Sequence, residues 1–123
     1  MFRIESKIDA KSPEFKANVV RMEQAVREYK TRQAEIQQGG PEKYRDLQKS
    51  RGNLLARERL ERLFDRNTPF LELNALASVD MYDNEAPGAS MVTGVGIVHG
   101  REVLVIANDA TVKGGTYFPM TIK

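Results

Sequence analysis

The chain has 123 residues, no cysteine, one histidine and a formal net charge of +2. That length suits one domain of ordinary size, and the lack of cysteine excludes a disulfide scaffold, a thiolate zinc site and a cysteine nucleophile, while fitting a reducing compartment. No apolar run approaches the roughly 20 residues that span a bilayer, and the opening Met-Phe-Arg-Ile-Glu-Ser-Lys-Ile-Asp alternates charge with apolar residues, so neither a membrane segment nor a secretory leader is expected.

Fifteen Lys/Arg stand against 11 Asp/Glu before Arg66, and 4 against 6 from Arg66 onward. The basic excess therefore sits in the front half. Its charges are interleaved in sign and no aromatic pattern accompanies them, which favours a solvated helix surface over a nucleic-acid face.

Ser12-Pro13-Glu14 opens the first predicted helix. Ser12 is a cap, Pro13 suits the first helical position, and Glu14 suits the positive end of the dipole. Phe15, Val19, Met22, Val26, Tyr29 and Ile36 then recur at alternating spacings of four and three, skipping Gln33, until Gly39-Gly40 ends the pattern. A stripe this narrow packs on another helix or lies across a body; it does not fill a core alone. Glu23 and Arg27 add an i,i+4 pair.

Pro41 restarts a short helix over residues 42–49, and Gly52 breaks it. A third helix is expected over residues 54–65, with Leu55 or Ala56, Leu60, Leu63 and Phe64 facing one way and Arg57, Arg59 and Arg62 facing others. After the turn at Asn67-Thr68-Pro69 the pattern changes. Residues 70–73 alternate as a strand, residues 80–88 are turn-rich, and residues 91–98 and 102–107 form two strands joined by a tight turn at His99-Gly100-Arg101. Gly94 and Gly96 share one strand face and let another group approach closely. The strand over residues 102–107 is apolar nearly throughout, so cover on both faces is expected. A hairpin and a helix that begins only at Pro119 cannot supply that cover, and the chain is expected to be the front of something longer or to have a tight partner. The fold class is α/β, divided into a helical region over residues 1–66 and the opening of a sheet domain over residues 67–123.

The candidate chemistry is narrow. His99 sits in a hairpin turn, and no nucleophilic triad surrounds it. Asp80, Asp83 and Glu85 lack the spacing of a calcium loop, so no metal site is expected. Gly94-Val95-Gly96 is not a dinucleotide fingerprint, because the third Gly is absent and no helix follows. The turn from Asn108 to Thr116 stands out. Its backbone N–H groups, Lys113 and the hydroxyls of Thr111 and Thr116 suit a phosphate or carbonyl oxygen. The alternative is that Gly114-Gly115 merely lets a strand turn into a helix, and spacing does not decide between the two.

Several separated blocks resemble, in order, the opening of the carboxyltransferase (beta) subunit of biotin-dependent acyl-CoA carboxylases. They are residues 51–60 (Arg-Gly-Asn-Leu-Leu-Ala-Arg-Glu-Arg-Leu), Asp65, residues 69–73 (Pro-Phe-Leu-Glu-Leu), residues 93–96 (Thr-Gly-Val-Gly) and Gly100-Arg101-Glu102. Residues 81–89 and 107–117 are similar to the methylcrotonoyl-CoA carboxylase branch, with geranyl-CoA and propionyl-CoA carboxylases as alternatives. Asn53 and Ser90 depart from the usual Lys and Gly of the family.

The resemblance implies a crotonase-like fold of repeated β-β-α units, here its first strands after a helical arm. It implies transfer of a carboxyl group from carboxybiotin, carried on a partner subunit, to 3-methylcrotonoyl-CoA in leucine degradation. Biotin is then the partner's cofactor, ATP and bicarbonate are used by the partner, and the partners are the biotin carboxylase and carrier alpha subunit and further beta subunits. The compartment would be the bacterial cytoplasm or the mitochondrial matrix. The family's oxyanion donors lie beyond Lys123, so no catalytic residue is assigned and the isolated chain is expected to be inactive. Thr111, Lys113, Gly114, Gly115 and Thr116 are expected to line the acyl-CoA groove. Arg57 and Arg59 either reach a phosphate or make ion pairs with Glu58, Glu61 or Asp65. A non-catalytic reading also stands, in which the stripe from Phe15 to Ile36 mediates subunit association.

Overall fold

The computed structural model describes residues 6–122. They divide into two compact units, Met1–Arg32 and Gln33–Lys123.

The first unit holds most of α1 (Pro13–Gln37), which has no buried residue. Ser12 caps it: the Phe15 N–H donates to Ser12 Oγ at 3.1 Å, satisfying one of the free donors of the first turn. Arg27 and Glu23 stand 3.8 Å apart along one face.

In the second unit, α1 ends where Gly39 takes a φ of 82°, and Arg45 Nη1 donates to the exposed Gln38 carbonyl at 3.1 Å. Next come α2 (Glu42–Ser50) and α3 (Ala56–Leu63). Glu58 accepts the Leu55 N–H at 2.8 Å and so closes the start of α3. The helix stops at Leu63, earlier than the expected residue 65, because Phe64 and Asp65 are committed elsewhere. Phe64 turns extended and stacks on Phe70 with ring centroids 5.0 Å apart.

The sheet is antiparallel with order β1-β2-β3, formed by β1 (Leu71–Leu73), β2 (Met91–Val98) and β3 (Arg101–Asn108). The β2–β3 turn is two residues, His99 and Gly100, with φ of 49° and 72°, a primed hairpin turn that matches the twist of the strands. On the inner face Ala56 and Leu60 of α3 cover Val92, with Phe64, Phe70, Val105 and Ala107 packed around them. Gly94 and Gly96 sit under the rings of Phe70 and Phe64, and a Cβ at either would strike them.

Among the described residues β3 is covered on one face only, the shortfall expected of a hairpin followed by the bare start of a helix. Leu104 and Ile106 are 64% and 65% exposed, since α3 packs on only one side of this single sheet. Between β1 and β2 the chain forms 3-10 turns at Tyr82–Asn84 and Pro87–Ser90. Asn74, Ser78, Asp80, the run Tyr82-Asp83-Asn84, Ala89 and Ser90 all have positive φ, a density uncommon away from glycine. Buried Ser78 ties this segment together by donating to the Ala86 carbonyl and accepting the Ala89 N–H at 3.2 Å. After β3 comes a 3-10 turn at Lys113–Gly115 and then α4 (Pro119–Ile122).

Candidate functional site

The turn that leaves β3 is held from beneath. Thr111 is 2% exposed. Its hydroxyl accepts the Gly40 N–H at 2.8 Å and donates to the Asp109 carboxylate, which also accepts the Thr111 N–H at 2.9 Å. Thr111 therefore lies inside the turn, and its side chain is fully engaged. Buried Val112 anchors the next position, and its N–H donates to the Asp109 carbonyl at 3.1 Å.

Lys113, Gly114 and Thr116 are exposed on top of this base, and Gly115 is half-buried. Lys113 has a φ of 47°, Gly114 of 71° and Gly115 of 80°. A left-handed run of this kind explains the glycine pair directly. A Cβ on Gly114 would meet nothing within 4 Å, so that residue is set by conformation and opens onto free surface. The Gly115 N–H donates to the Val112 carbonyl at 2.8 Å. The Thr116 N–H and hydroxyl both donate to the Lys113 carbonyl, at 3.3 and 2.7 Å. The backbone donors of Thr111, Val112, Gly115 and Thr116 are thus spent within the turn, and the charge presented outward is Lys113 Nζ. It lies 2.6 Å from Glu85 Oε2, with both side chains about half exposed.

The helix start that follows is also tied down. The Phe118 N–H donates to Thr121 Oγ1 at 2.8 Å, the Met120 N–H to Tyr82 Oη at 3.3 Å, and Thr121 Oγ1 to the Ala89 carbonyl at 2.8 Å. Tyr82 and Phe118 stack with centroids 5.0 Å apart. The residues that pin this segment come from the turn-rich stretch before β2, which carries no sequence signal for the role.

Arg57 is brought elsewhere. It pairs with Glu72 of β1, and Gln37 Nε2 donates to the other oxygen of that carboxylate at 3.3 Å. The expected partners Glu58, Glu61 and Asp65 are not used: Arg57 on α3 lies across from β1, and Glu58 is turned back to the helix start. Arg57, Glu72 and Gln37 line a pocket of about 230 Å³ with Leu60, Glu61, Phe64 and Phe70. Arg59 is exposed.

Asp65 has a role that no local pattern announces. Its carboxylate accepts the N–H groups of His99 and Gly100 at 2.9 and 2.7 Å, and its own N–H donates to the Ile97 carbonyl at 2.8 Å. The Gly100 and His99 amides hold its carboxyl below the usual value of 3.8. Among the described residues no cluster of His, Cys, Asp or Glu has the arrangement of a metal centre, and no helix is long and apolar enough to cross a membrane.

A helical lead-in, an antiparallel three-strand sheet and a glycine turn that opens the next helix define the beginning of a crotonase-like carboxyltransferase. The carboxyl transferase domain model matches residues 47–123, and the chain belongs to that family. It is 58% identical over 85 residues to the biotin-dependent 3-methylcrotonyl-coenzyme A carboxylase beta1 subunit of Mycobacterium tuberculosis, covering 69% of this chain and 16% of that protein. It is 45% identical over 121 residues to the mitochondrial methylcrotonoyl-CoA carboxylase beta chain of Dictyostelium discoideum, covering 98% of this chain and 21% of that one. The beta subunit of Pseudomonas aeruginosa geranyl-CoA carboxylase superposes with a TM-score of 0.81 at 33% identity, covering 97% of this chain and 22% of its own. Transcarboxylase 12S, solved as a hexamer with hydrolysed methylmalonyl-coenzyme A bound, superposes at 0.68 and 34% identity over 77% of this chain and 20% of its own. The chain spans about a fifth of the length of these relatives.

Proposed function

We propose that these residues are the opening of a carboxyltransferase that moves a carboxyl group from carboxybiotin to 3-methylcrotonoyl-CoA. The observation that carries this reading is the identity of 41–58% to methylcrotonoyl-CoA carboxylase beta subunits, against 33% to the geranyl-CoA enzyme that matches so well in shape. Biotin, with the ATP and bicarbonate that charge it, belongs to an alpha subunit, and further beta subunits complete the assembly. The compartment is the cytoplasm in a bacterium or the mitochondrial matrix in a eukaryote.

In this reading the acyl-CoA groove runs over the turn at residues 111–116. Lys113 supplies the cation that meets a phosphate or the thioester end, Gly114 and Gly115 give an unobstructed backbone surface, and Thr116 flanks it. Thr111 acts from below by fixing the turn. A phosphate displaces Glu85 from Lys113, an exchange between two exposed partners that costs little. Arg57 is held by Glu72 and serves structure, while Arg59 remains available to a ligand. The helical region and the sheet domain meet near residue 66, and the 123 residues alone carry out no carboxyl transfer.

The test is a subunit of the relatives' full length that begins with these residues, assembled with its biotin-carrying partner. Lys113→Ala is expected to raise the KM for 3-methylcrotonoyl-CoA by about tenfold with kcat little changed, as for loss of one charge-assisted contact. An unchanged KM removes Lys113 from the groove. A preference for geranyl-CoA would overturn the substrate assignment.

A further inference from the structure

α1 is a helix of 25 residues with no buried residue, although it carries an apolar seam interrupted only at Gln33. Val19, Met22, Val26 and Tyr29 are 38%, 65%, 41% and 48% exposed, whereas Gln33 and Ile36 at the far end are half-covered. Phe15 is half-covered as well, so the open part of the seam runs from Val19 to Tyr29. With Val19 and Val26 at the a positions of a heptad, Phe15, Met22 and Tyr29 fall at d, and Lys16, Glu23 and Lys30 fall at e.

We infer that α1 pairs with α1 of a second copy of this chain, antiparallel and in one register. In that register Val19 packs against the partner's Met22, and Phe15 against the partner's Val26, each contact occurring twice about a two-fold axis. The charges choose it. Antiparallel helices bring e positions together, and here Lys16 faces the partner's Glu23 twice, once on either side of the two-fold axis. Sliding one heptad toward the C-terminus sets Lys16 against the partner's Lys30 and Glu23 against the partner's Glu23. A slide of two heptads restores opposite charges but presses Met22 on the partner's Gln33. A parallel pair places Asn18 opposite the partner's Glu23 and Ala25 opposite the partner's Lys30, with no charge pairing. Glu23 is 62% exposed and only loosely engaged by Arg27 at 3.8 Å, so it is free to turn across the seam.

These 123 residues hold no cysteine, so an introduced thiol is distinct among them. The full chain is prepared as Val19→Cys and as Met22→Cys, and the two are mixed in equal amounts in a glutathione redox buffer. The mixed disulfide, joining position 19 of one copy to position 22 of the other, is expected in several-fold excess over the two symmetric ones together, whereas random collision gives equal amounts. Lys16→Glu in both variants is expected to lower the mixed yield by about tenfold, because two attractive pairs become repulsive. Adding Glu23→Lys is expected to restore it. Equal amounts, an excess of symmetric disulfides, or a yield indifferent to the charge swaps would each overturn the pairing.

Discussion

The Gly40 N–H donates to the Thr111 hydroxyl at 2.8 Å across 71 residues of sequence, and Gly40 lies so close that a Cβ would enter the Thr111 carbonyl and the Val112 nitrogen. The same approach continues at Gly39, where a Cβ would stand 2.8 Å from Asp109 Oδ2. The glycine pair that ends α1 is therefore the surface on which the candidate turn rests.

Gly40→Ala is expected to destabilise the chain by about 3 kcal/mol, since backbone atoms on both sides must move apart. Gly52→Ala is the control. Gly52 has a φ of 75° but nothing within 4 Å, so only conformational strain of about 1 kcal/mol is expected. Urea unfolding of the two variants measures the difference, and equal losses would contradict the close approach.

Thr111→Val keeps the shape but removes the acceptor for Gly40 and the donor to Asp109. A loss of about 2 kcal/mol follows from leaving a buried N–H unpaired. Thr111→Ser should recover most of it. If Val and Ser behave alike, the hydroxyl is not the link.

Arg57→Ala leaves the Glu72 carboxylate, whose side chain is 10% exposed, with only Gln37 as a partner. A cost of about 2 kcal/mol is expected, below the figure for a fully buried pair because Arg57 keeps 24% exposure. Arg57→Met with Glu72→Leu removes both charges and should be more stable than Arg57→Ala alone. A double variant that unfolds more readily than the single one would refute this account.

Asp65 sets an acid limit on the β2–β3 hairpin. Its folded value lies below the ordinary 3.8 because the His99 and Gly100 amides favour the carboxylate. Its contribution is therefore complete above the unfolded value and is lost as pH falls below about 4 through the depressed folded value. Asp65→Asn should lower the thermal midpoint at neutral pH and flatten the acid side of the stability curve. An acid limb identical to that of the unaltered chain would exclude the role.

Much of this fold was legible because its signals are local. Ser12 and Gly39 mark the ends of α1, and β2 spans residues 91–98 as its alternation requires. The spacing of Gly94 and Gly96 anticipated a close approach but not its agents, the rings of Phe70 and Phe64. What sequence reasoning missed is long-range. Asp65 looked like the tail of a helix, yet its partners are 34 and 35 residues away. Thr111 looked like a ligand contact, yet its hydroxyl is directed at Gly40. Arg57 was expected to reach a phosphate or to pair with neighbours along the chain, whereas its partner came with a strand. Only the folded chain brings such pairs together.

The outer side of β3 carries a practical consequence. Leu104 and Ile106 point away from α3, and among the described residues the far edge of that strand pairs with nothing. A greasy, unprotected margin of this kind recruits other strands. Preparations of these 123 residues should thus thicken into β-rich aggregates as concentration rises, and a charged residue at position 104 or 106 would be the simplest way to keep them in solution.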